Sequence, residues 1–202
     1  MQSDLFGHQQ DEAIQGLTYE PNFLSEQEEE ELLTIIQTLA LHPVQYKEHE
    51  SKCKIISYGG IYDFTTNSVK PSLELDPRLL PLRRRVAEWS GIDSSELVQV
   101  LVTEYAPGTQ LGWHRDVPSY ETVIGISLGS ATNLAFRRYP PTPTTNRLST
   151  KLVLEPRSIY KLEGTARWGW QHSIPPVKHR RWSITLRTKR IHRNSNLFGA
   201  LA

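Results

Sequence analysis

The stretch "GWHRDVPSY", residues 112–120, sets His114 and Asp116 two positions apart, just after a run of strand-forming residues. In an extended chain that offset puts both side chains on one face, which is how a strand presents two ligands to one ion. A metal needs a third ligand. His8, His42 and His49 fall in the helical or linker half and His192 in a basic tail, leaving His172 and His179 among the strands. His172 lies in "ARWGWQHSIPP", between two predicted strands. Two histidines and a carboxylate with open positions suit non-haem Fe(II) and O₂ chemistry. Zinc hydrolysis uses the same ligand set, so the triad alone does not choose between them.

A second pattern bears on the choice. In "RRWSITLR", Arg181 and Arg187 are six residues apart, so on a strand both face one way. Two guanidiniums on the inner face of a barrel are costly unless anions pair with them. A dicarboxylate supplies that pairing through bidentate contacts. The alternative is an edge strand with both arginines in solvent.

The elements that must position these residues are legible in part. "LSEQEEEELLTIIQTLAL" reads as a helix: Ser25 and Glu28 form a capping box, and Leu32, Leu33, Ile35, Ile36 and Leu39 make one apolar face. A second helix is predicted from about Leu79 to Ser90, ended by Gly91. "CKIISYGGIYDFTTNSVKP" reads as extended structure broken by a Gly-Gly turn. From Leu97 onward short β-branched runs dominate: "LVQVLVTEY", "TVIGISLG", "ATNLAFRRY", "KLVLE", "RSIYKLEG" and "RWSITLRT". Strands without intervening helices predict an antiparallel sandwich or barrel behind a helical support layer. That places His114 at a strand end or in the loop after it. A jelly roll would bring the distant His172 segment beside it.

Composition narrows the class. The chain has 202 residues, 38% of them apolar and 22% charged, which suits one well-filled domain. Residues 1–16 are expected to be a flexible lead-in, with Asp4-Leu5-Phe6 as a docking point, and 17–202 a single domain. A net charge of +1 gives no global field that would announce a nucleic-acid partner. One cysteine, Cys53, excludes an internal disulfide and a cysteine-rich zinc site. With neither a membrane span nor a signal peptide visible, a cytoplasmic monomer is expected.

Taken in order, "TEYAPGTQLGWHRD", "WQHSIPP" and "RRWSITLR" resemble the AlkB-like group of 2-oxoglutarate- and Fe(II)-dependent dioxygenases, from about Gly16 to Lys189. The resemblance implies a mainly β double-stranded β-helix, or jelly roll, with flanking helices. The lid and support helices would occupy about 17–96 and the β-helix core about 97–190. It implies Fe(2+) held by His114, Asp116 and His172. It further implies 2-oxoglutarate held by Arg181 and Arg187 with Tyr105, and O₂ as the oxidant. Thr103 and Ser183 stand where the group usually carries asparagine, and both are shorter hydrogen-bonding groups at the cosubstrate. The group's lid before the barrel grips a flipped base; here that segment holds Tyr58, Tyr62 and Phe64, and Arg138 is a further substrate contact. Arg137, Lys178, Arg180, Lys189, Arg190 and Arg193 could track phosphates. The implied activity is oxidative dealkylation of N-alkylated bases in DNA, with RNA a second candidate, releasing an aldehyde. The alternatives are a hydroxylase or demethylase acting on protein, modified RNA or a small molecule, and a non-catalytic metal- or nucleic-acid-binding barrel.

Overall fold

Strand parity organises this chain, and the computed structural model shows how. It describes residues 14–46, 49–63, 66, 68–143, 145 and 149–191, and for 44–46, 49–52 and 62 the backbone alone. The expected Asp-Leu-Phe docking point, Phe64, His192 and Arg193 lie outside the described residues.

The first half supplies strands as well as helices. β1 (Leu17–Glu20) precedes α1 (Glu26–Thr38), whose Ser25 capping box forms as its sequence requires. β2 (His42–Tyr46), β3 (His49–Tyr58), β4 (Ile61–Asp63) and β5 (Ser68–Lys70) follow. A 3₁₀ turn leads into α2 (Leu80–Ser90), which Gly91 ends in the left-handed conformation at φ 67°. No described helix is long and apolar enough to cross a membrane.

The second half runs β6 (Leu97–Tyr105), β7 (Leu111–His114), β8 (Tyr120–Leu128), β9 (Thr132–Arg138) and β10 (Thr150–Leu154). It ends with β11 (Ile159–Leu162), the short α3 (Gly164–Trp168), β12 (Trp170–Ile174) and β13 (Arg181–Lys189). Two antiparallel sheets result, ordered β1-β11-β8-β13-β6-β3-β2 and β10-β9-β12-β7, with β4-β5 a separate hairpin. This is the expected jelly roll. Four of its strands, β1, β2, β7 and β12, were not evident from sequence. His172 therefore sits within a strand, not in a loop between two strands.

Alternation divides the large sheet into two faces. Ile184 pairs with Val102 and Leu186 with Val100, and these join Leu32 and Ile36 of α1 and Leu82 and Val86 of α2 in one apolar core. The opposite face carries Gln99, Leu101, Thr103 and Tyr105, paired with Arg187, Thr185, Ser183 and Arg181. A second core, including Leu134, Phe136, Leu154 and Trp170, fills the space between the sheets.

Tyr58 pairs with Val100 across β3 and β6, so it shares the helix-covered face. It is 5% exposed and packs in the core beneath α1 and α2. This corrects the expectation that Tyr58 grips substrate: its neighbour Ser57 takes the inward position. Tyr58→Ala should therefore cost about 3 kcal/mol, the low end for truncating a large buried aromatic. A thermal melt should register that loss, while iron uptake by the folded variant matches the wild type.

Candidate metal centre

His114 is the last residue of β7 and pairs directly with His172 of β12. The two rings stand edge to face, 4.3 Å between centroids. Asp116 follows two residues on, in the loop that leaves the strand. One ligand-capable atom from each of the three lies within 4.8 Å of the others. His179 is exposed in the turn before β13 and is not part of this cluster.

The protonation states suit a cation. His114 Nδ1 meets the Gly112 carbonyl at 2.8 Å, which orients the ring and leaves Nε2 for a metal. Burial pushes the His172 imidazole down to about 3, helped by His114 and opposed by Asp116, so it is neutral near pH 7. Burial alone would raise the Asp116 carboxyl, but Arg187, His172, His114 and Arg167 outweigh it and hold it below the ordinary carboxylate range. Its Oδ1 accepts from Arg187 Nε at 2.8 Å and Nη2 at 2.6 Å. Its Oδ2 is buried without a hydrogen-bond partner, 3.4 Å from His172 Nε2. An ionised, unpartnered carboxylate oxygen beside two imidazoles fits a divalent metal.

The arginine pair divides its work. Arg181 is 1% exposed, lies 4.8 Å over the Tyr105 ring and donates to Ser127 Oγ at 3.1 Å. Its Nε and Nη1 are buried with no partner. Open guanidinium donors in a dry interior fit an anion such as a carboxylate. Thr103 and Ser183 face each other on the same inner surface, both buried, next to Ser127 across the β13–β8 pairing. Arg187 instead spends its donors on Asp116 and, through Nη1, on Gln99 Oε1 at 2.9 Å.

Several contributors were missed at the sequence level. Arg167 of α3 is 2% exposed and its Nη2 donates to the carbonyls of Asp116, Val117 and Tyr120. It braces the loop that carries Asp116. Tyr160 of β11 is held protonated by burial, with Asp116 adding to the effect, and its ring lies where a Cβ on Gly125 would be. Only glycine fits there. Gln99 carried a signal: an amide in "LVQVLVTEY", on the parity of Thr103 and Tyr105, among apolar neighbours.

Around the site, cations rest on aromatic rings. Arg115 lies 3.6 Å over Tyr139, Arg137 lies 4.6 Å over Trp113, and Arg190 lies 4.2 Å over Trp168. The expected substrate contact Arg138 is exposed and lies 4.9 Å over Trp170, beside β12. The backbone of Tyr62 pairs with Val69 in the β4–β5 hairpin, while its side chain lies outside the described residues.

Over residues 16–192 the chain matches the family model described as the 2OG-Fe(II) oxygenase superfamily. The chain belongs to that superfamily. The chemistry of the 2OG-Fe(II) oxygenase superfamily uses Fe(II), 2-oxoglutarate and O₂, in keeping with the His-Asp-His cluster. An alkylated DNA repair protein ALKBH8 homolog of Arabidopsis thaliana is 30% identical over 212 residues, covering 89% of this chain and 60% of the relative. The uncharacterized protein L905 of Acanthamoeba polyphaga mimivirus is 40% identical over 83 residues, 40% of this chain and 38% of that one. The matches thus span less than two thirds of either relative. Among solved structures, OsALKBH1 superposes with a TM-score of 0.63 at 15% identity, covering 86% of this chain and 98% of that one. A 2OG-Fe(II) oxygenase family oxidoreductase from Burkholderia pseudomallei gives 0.61 at 15% identity, covering 87% and 86%. At such identity the structures speak to the fold, and the AlkB-like jelly roll holds.

Three outcomes follow from this geometry. His172→Ala should abolish iron uptake, and His179→Ala should leave it intact, as read by metal titration. Arg181→Met should weaken 2-oxoglutarate binding by roughly 2 to 5 kcal/mol and spare iron, whereas Arg187→Met should weaken both because Asp116 loses its counter-charge. The third concerns pH. His172 is depressed to about 3 from 6.5, so the unfolded chain takes up a proton there that the folded chain refuses. Its contribution to stability is complete above pH 6.5 and is lost as pH falls toward 3. Melting temperatures of metal-free protein across that window should fall less steeply in His172→Phe than in the wild type.

Proposed function

We propose that this chain removes alkyl groups oxidatively from N-alkylated bases in nucleic acid, DNA first, with His114, Asp116 and His172 holding the iron. The observation that carries the reading is the His-Asp-His cluster, built on the four-stranded sheet and the loop after β7, together with the open, buried donors of Arg181 on the seven-stranded sheet. When bound, iron with 2-oxoglutarate and O₂ supplies the oxidising power, converting 2-oxoglutarate to succinate and CO₂ as oxygen enters the alkyl group.

The protein's part is orientation and exclusion of water. Arg181 grips a cosubstrate carboxylate, with Tyr105, Thr103 and Ser183 lining the same pocket. Arg187 keeps Asp116 ionised and aimed, and Arg167 holds its loop. Phe136 and Leu134, 0% and 1% exposed, keep the region between the sheets dry. The nucleic-acid part is supported by Arg115, Arg137, Arg138 and Arg190 on aromatic rings around the centre. The likeness to an alkylated DNA repair protein homolog supports it too.

The test is aldehyde and succinate release from oligonucleotides carrying N-methylated bases, with Fe(II) and 2-oxoglutarate. Product should form with the methylated strand, vanish with a chelator, and be absent from His114→Ala. Succinate formation without any dependence on base methylation would overturn the substrate assignment. Arg138→Ala should raise the KM for oligonucleotide and reduce the slope of affinity against salt by about one, as losing one phosphate contact does.

A further inference from the structure

The β4–β5 hairpin belongs to neither large sheet, and a lone two-stranded hairpin is marginal in water. Its root is the Gly59-Gly60 turn. Gly60 has no room for a side chain: a Cβ there would lie 2.7 Å from Val69 Cγ1 and 3.3 Å from Tyr120 Oη. The Gly60 carbonyl accepts from Ser57 Oγ at 2.6 Å and from Gln99 Nε2 at 2.9 Å. Gln99 is 5% exposed, and its Nε2 also reaches Ser57 Oγ at 3.1 Å. Its Oε1 accepts from Arg187 Nη1 at 2.9 Å, and Arg187 closes on Asp116 Oδ1. One amide therefore donates to the hairpin root and accepts from the guanidinium that holds a metal-ligand carboxylate. The Tyr120 ring, 5.7 Å from the Arg187 guanidinium, packs against the same root.

We propose that Gln99 is a positioning residue that couples the β4–β5 hairpin to the Asp116 carboxylate, so that loading the metal centre steadies the hairpin root and displacing the root disturbs the centre. A glutamine suits the task because its donor and acceptor sit on one rigid plane. An amide turned toward Arg187 by its oxygen necessarily presents its nitrogen to Gly60. All four groups are buried or nearly so, where an unmade hydrogen bond is costly, and the chain of bonds therefore moves as a unit. Coupling of this kind is reciprocal, so it is readable from the metal side without any substrate. The inference rests on the metal assignment and not on the nucleic-acid reading.

The experiment is hydrogen exchange at residues 59–63 and 68–70, in metal-free protein and after anaerobic loading with Fe(II) and 2-oxoglutarate. In the wild type, loading should slow exchange by roughly 5-fold or more, the lower end for coupled sites. Gln99→Glu keeps an acceptor for Arg187 and loses the donor to Gly60, so it should still take up iron while the loading-dependent slowing disappears. Gln99→Leu severs both arms and should lose the slowing and bind iron more weakly. Melting temperatures of each variant separate this from a structural role, which predicts a lower melting point with the slowing preserved. Hairpin exchange indifferent to loading in the wild type would overturn the proposal, as would slowing of wild-type size in Gln99→Glu. Either result is independent of whether methylated oligonucleotides are substrates.

Discussion

The site depends on keeping one carboxylate charged inside the protein. Asp116 has a side chain only 6% exposed, and burial alone would drive it toward the protonated form. Arg187 reverses that by giving Oδ1 two charge-assisted bonds, and Arg167 adds positive charge behind the loop. Removing one partner from such a pair leaves an uncompensated buried charge, a heavier loss than the pair's own net worth. The arrangement leaves Oδ2 ionised and open, the state a metal requires. Arg187 reaches Asp116 because β13 delivers every second side chain between the sheets. The same alternation delivers Ser183 and Arg181 further along.

A polar inner face of this kind is tolerable only because the outer face is so apolar. Val100, Val102, Ile184 and Leu186 are at most 4% exposed and bind the sheet to α1 and α2. At about 25 cal/mol per Å² of apolar surface, that layer carries the burial energy that the inner layer forgoes. Fine shape then comes from single positions. Gly125 lets the Tyr160 ring lie flat on β8 next to the arginines. A larger residue there would displace that ring.

What the sequence disclosed follows the range of the interactions involved. The capping box at Ser25, the Gly91 terminator and the parity of Arg181 and Arg187 are local, and each was legible. So was the spacing of His114 and Asp116. Partnership across the sheets was not: that His172 pairs with His114 depends on β12 lying between β9 and β7. The β12 strand itself was hidden, since "WQHSI" is only five residues long, has the polar run Gln171-His172-Ser173 at its centre and directly follows a one-turn helix. Tyr58 failed for a related reason. Two tyrosines around a Gly-Gly turn look alike in sequence, and only the register with β6 turns Tyr58 toward the helices. Arg167 was invisible because its partners are backbone carbonyls, which leave no mark on residue type.

The near-zero net charge of the chain does not weigh against a phosphate-bearing substrate, because attraction at contact range is set by local cations. Here these cations are held in place. Arg115, Arg137 and Arg138 rest on Tyr139, Trp113 and Trp170, which limits the rotamer freedom a free arginine would lose on binding. The metal motif itself helps to create this rim. In an extended segment, turning His114 and Asp116 inward obliges Arg115 to turn outward. Its guanidinium then lies on Tyr139 and bonds the Trp168 carbonyl at 3.1 Å, next to the helix whose Arg167 braces the Asp116 loop. The residue between His114 and Asp116 is thus held on the aromatic rim beside the His-Asp-His cluster.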